Sequence, residues 1–378
     1  MSKLSPAALA ALSKIDGYYK GLPVWYGHLY DPESGGFYMT LSGKRDPEMA
    51  PAIEMTCWGL SFLRTHTEVF DSMPSEIKGK FIDFFCDRQD EASGVFIDRQ
   101  GPANPREQAR NQAAAKRALD LLGASPKYPL PSGKSDSAAV RAKMPDYMRS
   151  CESYMEWVKG LTWDHGSWTA GDQTQSSQQY IAMLPEPERK RYTDAVVEFL
   201  LERQFESGLW SPDFDFNAAS GAFKVGLVFA GFGMRLPNPD RIVDSIFRCY
   251  RESVTSSPYF VRNPISVMNQ MASYSPELAE KIKQGILDNI DAVTASFGEF
   301  LCPDGAFSAR KGKSMVSFGG VVGSHGLFEG DIDATAMMCT ARRELYQLLG
   351  LKAAPLPAPD FWDWASRKKP LPEIERVE

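Results

Sequence analysis

The chain has 378 residues, with 42 Lys+Arg against 48 Asp+Glu, a formal net charge of −6, and 24% of its residues are charged. Hydrophobic residues make up 43% and aromatics 12%, which suffices for a large core and rules out a disordered chain. Mild acidity without a Lys/Arg cluster leaves no electrostatic footprint for nucleic acid or for an anionic membrane, so neither is expected as a partner.

In chain order, the first twenty residues hold an Ala/Leu run that reads as one capped amphipathic helix, too short for a secretory segment. No later stretch has the length of a transmembrane helix. Periodicity and caps predict helices at roughly 5–20, 48–67, 74–88, 105–122, 144–160, 169–183, 186–204, 217–233, 238–255, 264–273, 276–297 and 331–349, with no convincing strand pair. Ser5-Pro6, Asn238-Pro239 and Ser275-Pro276 each place a capping side chain before a proline at the first helical position. Cys57, Cys86, Cys151, Cys249, Cys302 and Cys339 form no C-x-x-C pair and sit mostly in apolar helical patterns, as expected of reduced core thiols in a cytoplasmic protein.

Between helices a glycine is followed two residues later by an aromatic: Gly35/Phe37, Gly94/Phe96, Gly166/Trp168, Gly208/Trp210, Gly305/Phe307 and Gly326/Phe328. Recurrence on this scale points to stacked helical hairpins, and six of them closing on themselves make an all-α (α/α)6 toroid with a central funnel. The predicted organisation is one toroidal domain over 1–350 and a Pro-rich strap over 351–378, whose Phe361, Trp362 and Trp364 pack across the toroid. Residues 124–143, rich in Pro, Ser, Gly and Lys, read as a flexible surface loop, either an active-site flap or simply tolerated.

The segment Gln204-Phe205-Glu206-Ser207-Gly208-Leu209-Trp210 resembles the QW repeat of squalene-hopene and other terpenoid cyclases, whose domains are α/α toroids. Gln89 with Gly94 and Phe96 is a one-residue-longer copy. Asp331-Ile332-Asp333-Ala334-Thr335-Ala336 is similar to the D-x-D-D-T-A element of class II terpenoid cyclases, departing from it at Ala334. The resemblance implies that Asp333 is the acid that protonates an alkene or epoxide of an isoprenoid, with Asp331 as its neighbour. Such an acid must be kept protonated by a dry, apolar site. Trp168, Trp210, Phe307, Phe328 and Asn217 would then line the substrate. Set beside this, two carboxylates in a first helical turn are also what capping and the helix dipole favour.

No D-D-x-x-D occurs, which speaks against ionisation of an allylic diphosphate. No cluster has metal-ligand spacing, so no cofactor is expected, although Mg²⁺ would accompany a diphosphate-bearing substrate. Were a metal required, Asp331, Asp333 and Glu329 would be the ligands to test first.

A second reading starts from the histidines. His28, His66, His165 and His325 are the only four, and His66 reads as structural. His165 lies in the aromatic-rich turn Trp163-Asp164-His165-Gly166-Ser167-Trp168, similar to the turns of toroidal polysaccharide lyases and sugar epimerases, and Tyr30 to Phe37 resembles the first turn of N-acylglucosamine 2-epimerase-like toroids. There, a His such as His165 or His325, or a Tyr, would act as acid or base at a sugar carbon, as in a uronic-acid polysaccharide lyase, an unsaturated glycoside hydrolase or a sugar epimerase acting on an oligosaccharide, with Arg110, Asn111 and Asn217 as polar partners or plain helix caps. A non-catalytic scaffold is the third reading.

Overall fold

A computed structural model describes residues 4–100, 105–130, 144–367 and 371–372. Helices dominate, as the all-α expectation has it: α1 (Pro6–Tyr19), α2 (Leu22–Leu29), α3 (Leu41–Arg45), α4 (Ile53–His66), α5 (Ser75–Cys86), α6 (Pro105–Leu121), α7 (Cys151–Lys159), α8 (Ser167–Ala182), α9 (Glu188–Arg203), α10 (Phe216–Gly231), α11 (Pro239–Glu252), α12 (Pro258–Ala272), α13 (Pro276–Asp288), α14 (Ile290–Gly298), α15 (Ile332–Leu348) and α16 (Phe361–Ala365). Two short antiparallel ladders, β1 (Tyr30–Asp31) with β2 (Gly36–Phe37) and β3 (Ser317–Phe318) with β4 (Val321–Val322), correct the expectation of no strand pair. Two residues per strand leave no alternation to read in a sequence.

The chain gathers into two compact units, one of residues 1–132, 297–340 and 353–378, the other of residues 133–296 and 341–352. In the second unit α10 packs along α8 on one side and α12 on the other, while α9 packs on α7 and α11 on α13. Alternate helices therefore form two layers, as α/α hairpins do. In the first unit α4 packs along α6, and α5 lies against α6.

Start signals worked where the capping side chain was free to bond. Ser5 accepts from Ala8 N at 3.2 Å and Ser275 from Leu278 N at 3.2 Å, each before a proline. Asn238 is different: its backbone is left-handed (φ 48°), and its amide donates to Gln204 Oε1 at 2.8 Å instead of capping α11. Helix α12 starts at Pro258, capped by Ser257, and runs through Pro264, so the expected start at 264 mistook an interior proline for a terminal one. The expected 276–297 helix is broken at Asn289 into α13 and α14.

Five of the six Gly-x-aromatic glycines have positive φ, from 68° at Gly326 to 85° at Gly305, a region that a side chain makes costly. The turn serves to bury the aromatic: Phe37, Phe96, Trp210 and Phe307 are fully enclosed. Gly166 is the exception, with φ −140°.

In the first unit the C-terminal segment packs on α2 and α4. Leu356 N donates to His66 O at 2.7 Å, Trp362 Nε1 to Val69 O at 2.8 Å, and the Trp364 ring stands edge-on to His28. Of the expected loop, 131–143 lies outside the described residues, while Tyr128 is held by Gln89, whose amide donates to its carbonyl at 2.9 Å. Among the described residues no helix is long and apolar enough to cross a membrane.

Candidate functional site

The Gly305-x-Phe307 turn builds the floor of the site. Gly305 N donates to Cys302 O and Cys302 N to Ala306 O, which closes the turn and sends Phe307 inward against Tyr19, ring centroids 5.1 Å apart. Phe307 N then donates to Thr335 Oγ1 at 3.1 Å, and its carbonyl accepts from Asp331 N at 2.9 Å. The turn thereby fixes the first residues of α15. The same device recurs at Phe37, whose N–H donates to Thr56 Oγ1 at 3.0 Å in α4.

Four carboxylates gather there. Asp331 caps α15, its Oδ1 accepting from Ala334 N at 2.8 Å while Oδ2 accepts from Ala309 N at 2.8 Å and Met315 N at 3.1 Å. Burial pushes its carboxyl up to about 6, against the pull of those three N–H groups. Asp304 accepts from Trp25 Nε1 at 2.9 Å and Gly330 N at 3.0 Å, and burial raises it too. Glu329 is raised by burial against its bonds from Ser42, whose N–H donates at 2.8 Å and whose hydroxyl donates to the other oxygen. Asp333, on the first turn of α15, is 1% exposed.

The Tyr26 phenol completes the cluster. Its hydroxyl makes no hydrogen bond and is held far above the usual tyrosine range, first by burial, then by the negative potential of Cys339, Asp331 and Asp333. The ring is stacked on Phe62 at 3.9 Å and edge-on to Trp25 at 5.1 Å. Burial thus shifts Asp331, Asp304 and Glu329 towards their neutral forms.

Of the other expected site residues, His325 and Phe328 belong to the first unit, and His165, Trp168, Trp210 and Asn217 to the second. His325, exposed, pairs through Nε2 with Asp46 Oδ2 at 2.9 Å, and its backbone N–H reaches Ser42 Oγ. Phe328 is half-buried beside Glu329. In the second unit His165 is exposed and bonded to Asp213 Oδ2 at 2.8 Å, a bond that raises its imidazole above the ordinary value. Trp210 is enclosed, its indole donating to Leu200 O at 2.7 Å. Asn217 is half-buried on the first turn of α10, and Trp168 is half-buried against Phe260.

The QW-like segment holds loops. Gln204 Nε2 donates to Gly208 O at 2.8 Å and Pro237 O at 3.1 Å, and Gln89 Nε2 to Gly94 O at 3.0 Å and Tyr128 O at 2.9 Å. Each glutamine ties its own turn to a later segment. Arg110 pairs bidentately with Glu54 at 2.7 and 3.2 Å, and Asn111 is buried.

Sequence reasoning missed Asp304, Tyr26 and the role of Thr335. Asp304 sits in a Pro-Asp-Gly turn and read only as loop chemistry. Among the described residues no three His, Cys, Asp or Glu are grouped to hold a metal ion. No family model matches the chain, and no curated protein does. Among solved structures, the chain is similar to two variants of the type II terpene cyclase MstE from Scytonema: one with its product merosterolic acid A (TM-score 0.45, 13% identity, covering 90% of this chain and 99% of that one), the other with its substrate geranylgeranyl dihydroxybenzoate (TM-score 0.44, 12% identity, the same coverage).

Proposed function

We propose that the chain is a class II-type terpenoid cyclase-like enzyme in which Asp333 protonates a terminal alkene or epoxide of an isoprenoid. The observation that carries this reading is a carboxyl 1% exposed on the first turn of α15, beside an Asp331 whose two oxygens are already committed to backbone N–H groups. Asp331 then acts as a positioning residue that fixes the helix start, and Asp333 donates the proton. The aromatic faces of Tyr26, Phe62, Trp25 and Phe307 shelter the cation that forms. The alkene takes a proton from the carboxyl, the cation closes a ring, and a proton leaves the product carbon, so no redox partner is involved.

The test incubates the protein with acyclic isoprenoid alcohols, epoxides and diphosphates and looks for cyclised products by gas chromatography and mass spectrometry. In D2O, protonation of an alkene carbon leaves one deuterium in the product, whereas protonation of an epoxide leaves it on a hydroxyl that exchanges. Asp333→Asn should cut turnover by at least about a hundredfold, the scale of a lost general acid, with little change in melting temperature. Full activity in that variant would overturn the assignment. The carbohydrate reading needs His165 and His325 beside the reacting carbon, whereas each ring is exposed and bonded to an aspartate of its own.

A further inference from the structure

The second unit holds a cluster of cations and donors that its own residues satisfy only in part. Arg262, on α12, lies with its guanidinium 4.5 Å above the Phe223 ring, and Nη1 reaches Asn263 Oδ1 at 3.3 Å. That is a long bond for a guanidinium largely out of water, and Arg262 Nε has no partner. Arg262 makes no ion pair among the described residues. The charge of Glu344 acts in favour of the Arg262 cation and that of Arg343, on the C-terminal half of α15, acts more weakly against it; Arg343 Nε is also without a partner.

Asn263 is 1% exposed, and with its oxygen facing Arg262 its Nδ2 donor makes no hydrogen bond. On α8, Trp168 packs edge-on to Phe260 of α12 and carries a further unpartnered donor, Nε1. The nearby Glu344 is engaged by the Ser266 hydroxyl and lies 3.7 Å from Arg343. Arg262, Arg343, Asn263 and Trp168 thus each keep a donor without a partner, Glu344 is the carboxylate that acts on both guanidinium groups, and solvent still reaches Arg262, Arg343 and Trp168.

From this arrangement we infer that the second unit carries an anion-binding subsite, in which Arg262 and Arg343, assisted by Asn263 Nδ2, hold the carboxylate or phosphate group of a ligand. The planar fork of a guanidinium matches either group with two parallel hydrogen bonds, and two arginines against the one carboxylate of Glu344 leave positive charge that a ligand anion offsets. An unpaired buried amide donor costs free energy that a bound oxygen returns. The inference does not depend on the acid chemistry proposed for the first unit.

Isothermal titration of the full chain with inorganic pyrophosphate and, separately, with benzoate distinguishes the two sources. Binding of pyrophosphate assigns a phosphate ester, and binding of benzoate assigns a carboxylate. With whichever probe binds, Arg262→Met should weaken affinity at least tenfold and raise the melting temperature in the absence of the probe, because a poorly paired buried charge has been removed. Arg343→Met and Asn263→Leu, expected to weaken binding likewise, keep the test open if Arg262→Met fails to fold. Asp333→Asn should bind the probe as the parent protein does, which separates this subsite from the catalytic assignment. No binding of either probe at millimolar concentration, or equal affinity in the Arg262 and Arg343 variants, would overturn the inference.

Discussion

Ser42 holds Glu329 from 287 residues away, its backbone N–H donating to Oε2 at 2.8 Å and its hydroxyl to Oε1. Thr40 caps the same short helix and donates its hydroxyl to Gly323 O at 2.9 Å, so the start of α3 fastens the whole 323–329 segment. Ser42→Ala should leave a buried acceptor one donor short, a loss of about 1–3 kcal/mol. Chemical denaturation measures it, and a change under half a kcal/mol would mean that Glu329 finds another partner.

Asp331 makes a pH prediction whose sign is definite. Its folded pKa, about 6, lies above the ordinary 3.8, so the stability associated with its neutral form is fully present below about pH 4 and is lost as pH rises through about 6. The two-unit gap corresponds to an effect on the order of 3 kcal/mol. The advantage of the parent over Asp331→Asn in urea unfolding should therefore narrow between pH 4 and pH 6. A gap that widens over that range would show that Asp331 is held ionised.

Thr335→Val tests the turn beneath the site. Thr335 Oγ1 accepts from Phe307 N and donates to Phe307 O, so valine strands a buried N–H at a cost of about 1–3 kcal/mol. Because the start of α15 moves with Phe307, product formation should fall with stability. Thr56→Val, at the matching turn below Phe37, should cost similar stability without the same loss of product.

Gly27→Ala tests the C-terminal segment. An added Cβ would lie 1.9 Å from Cζ3 of Trp364, a distance no packing tolerates, so α16 must move off α2. Faster proteolysis after residue 350 and a red shift of tryptophan fluorescence are expected. Unchanged digestion would mean that α2 yields instead.

A last prediction follows from the proposed chemistry. Protonation of an alkene needs no electrophile beyond the acid, so turnover of a substrate without phosphate should survive EDTA. Loss of that turnover on chelation and its return with Mg²⁺ would turn Asp331, Asp333 and Glu329 into candidate metal ligands.

Local chemistry made much of this legible in the sequence. Ser5-Pro6 and Ser275-Pro276 start helices because a hydroxyl three residues ahead of an N–H and a ring that fixes φ act within one turn, whatever surrounds them. The Gly-x-aromatic spacing likewise announced a turn that only a left-handed glycine closes easily, and Gln204 announced the loop it ties. Asp331 and Asp333 could be named from their motif, but two carboxylates two residues apart read the same as a cap and as an acid. Contacts with residues remote in the chain appear only in the fold: Ala309, Met315 and Phe307 engage Asp331 at the start of α15, while Trp25 and Ser42 hold Asp304 and Glu329 from other turns. Burial, and with it the raised proton affinity of Asp331, Asp304 and Glu329, is a property of that enclosure and not of any residue alone, so the tertiary structure decided it.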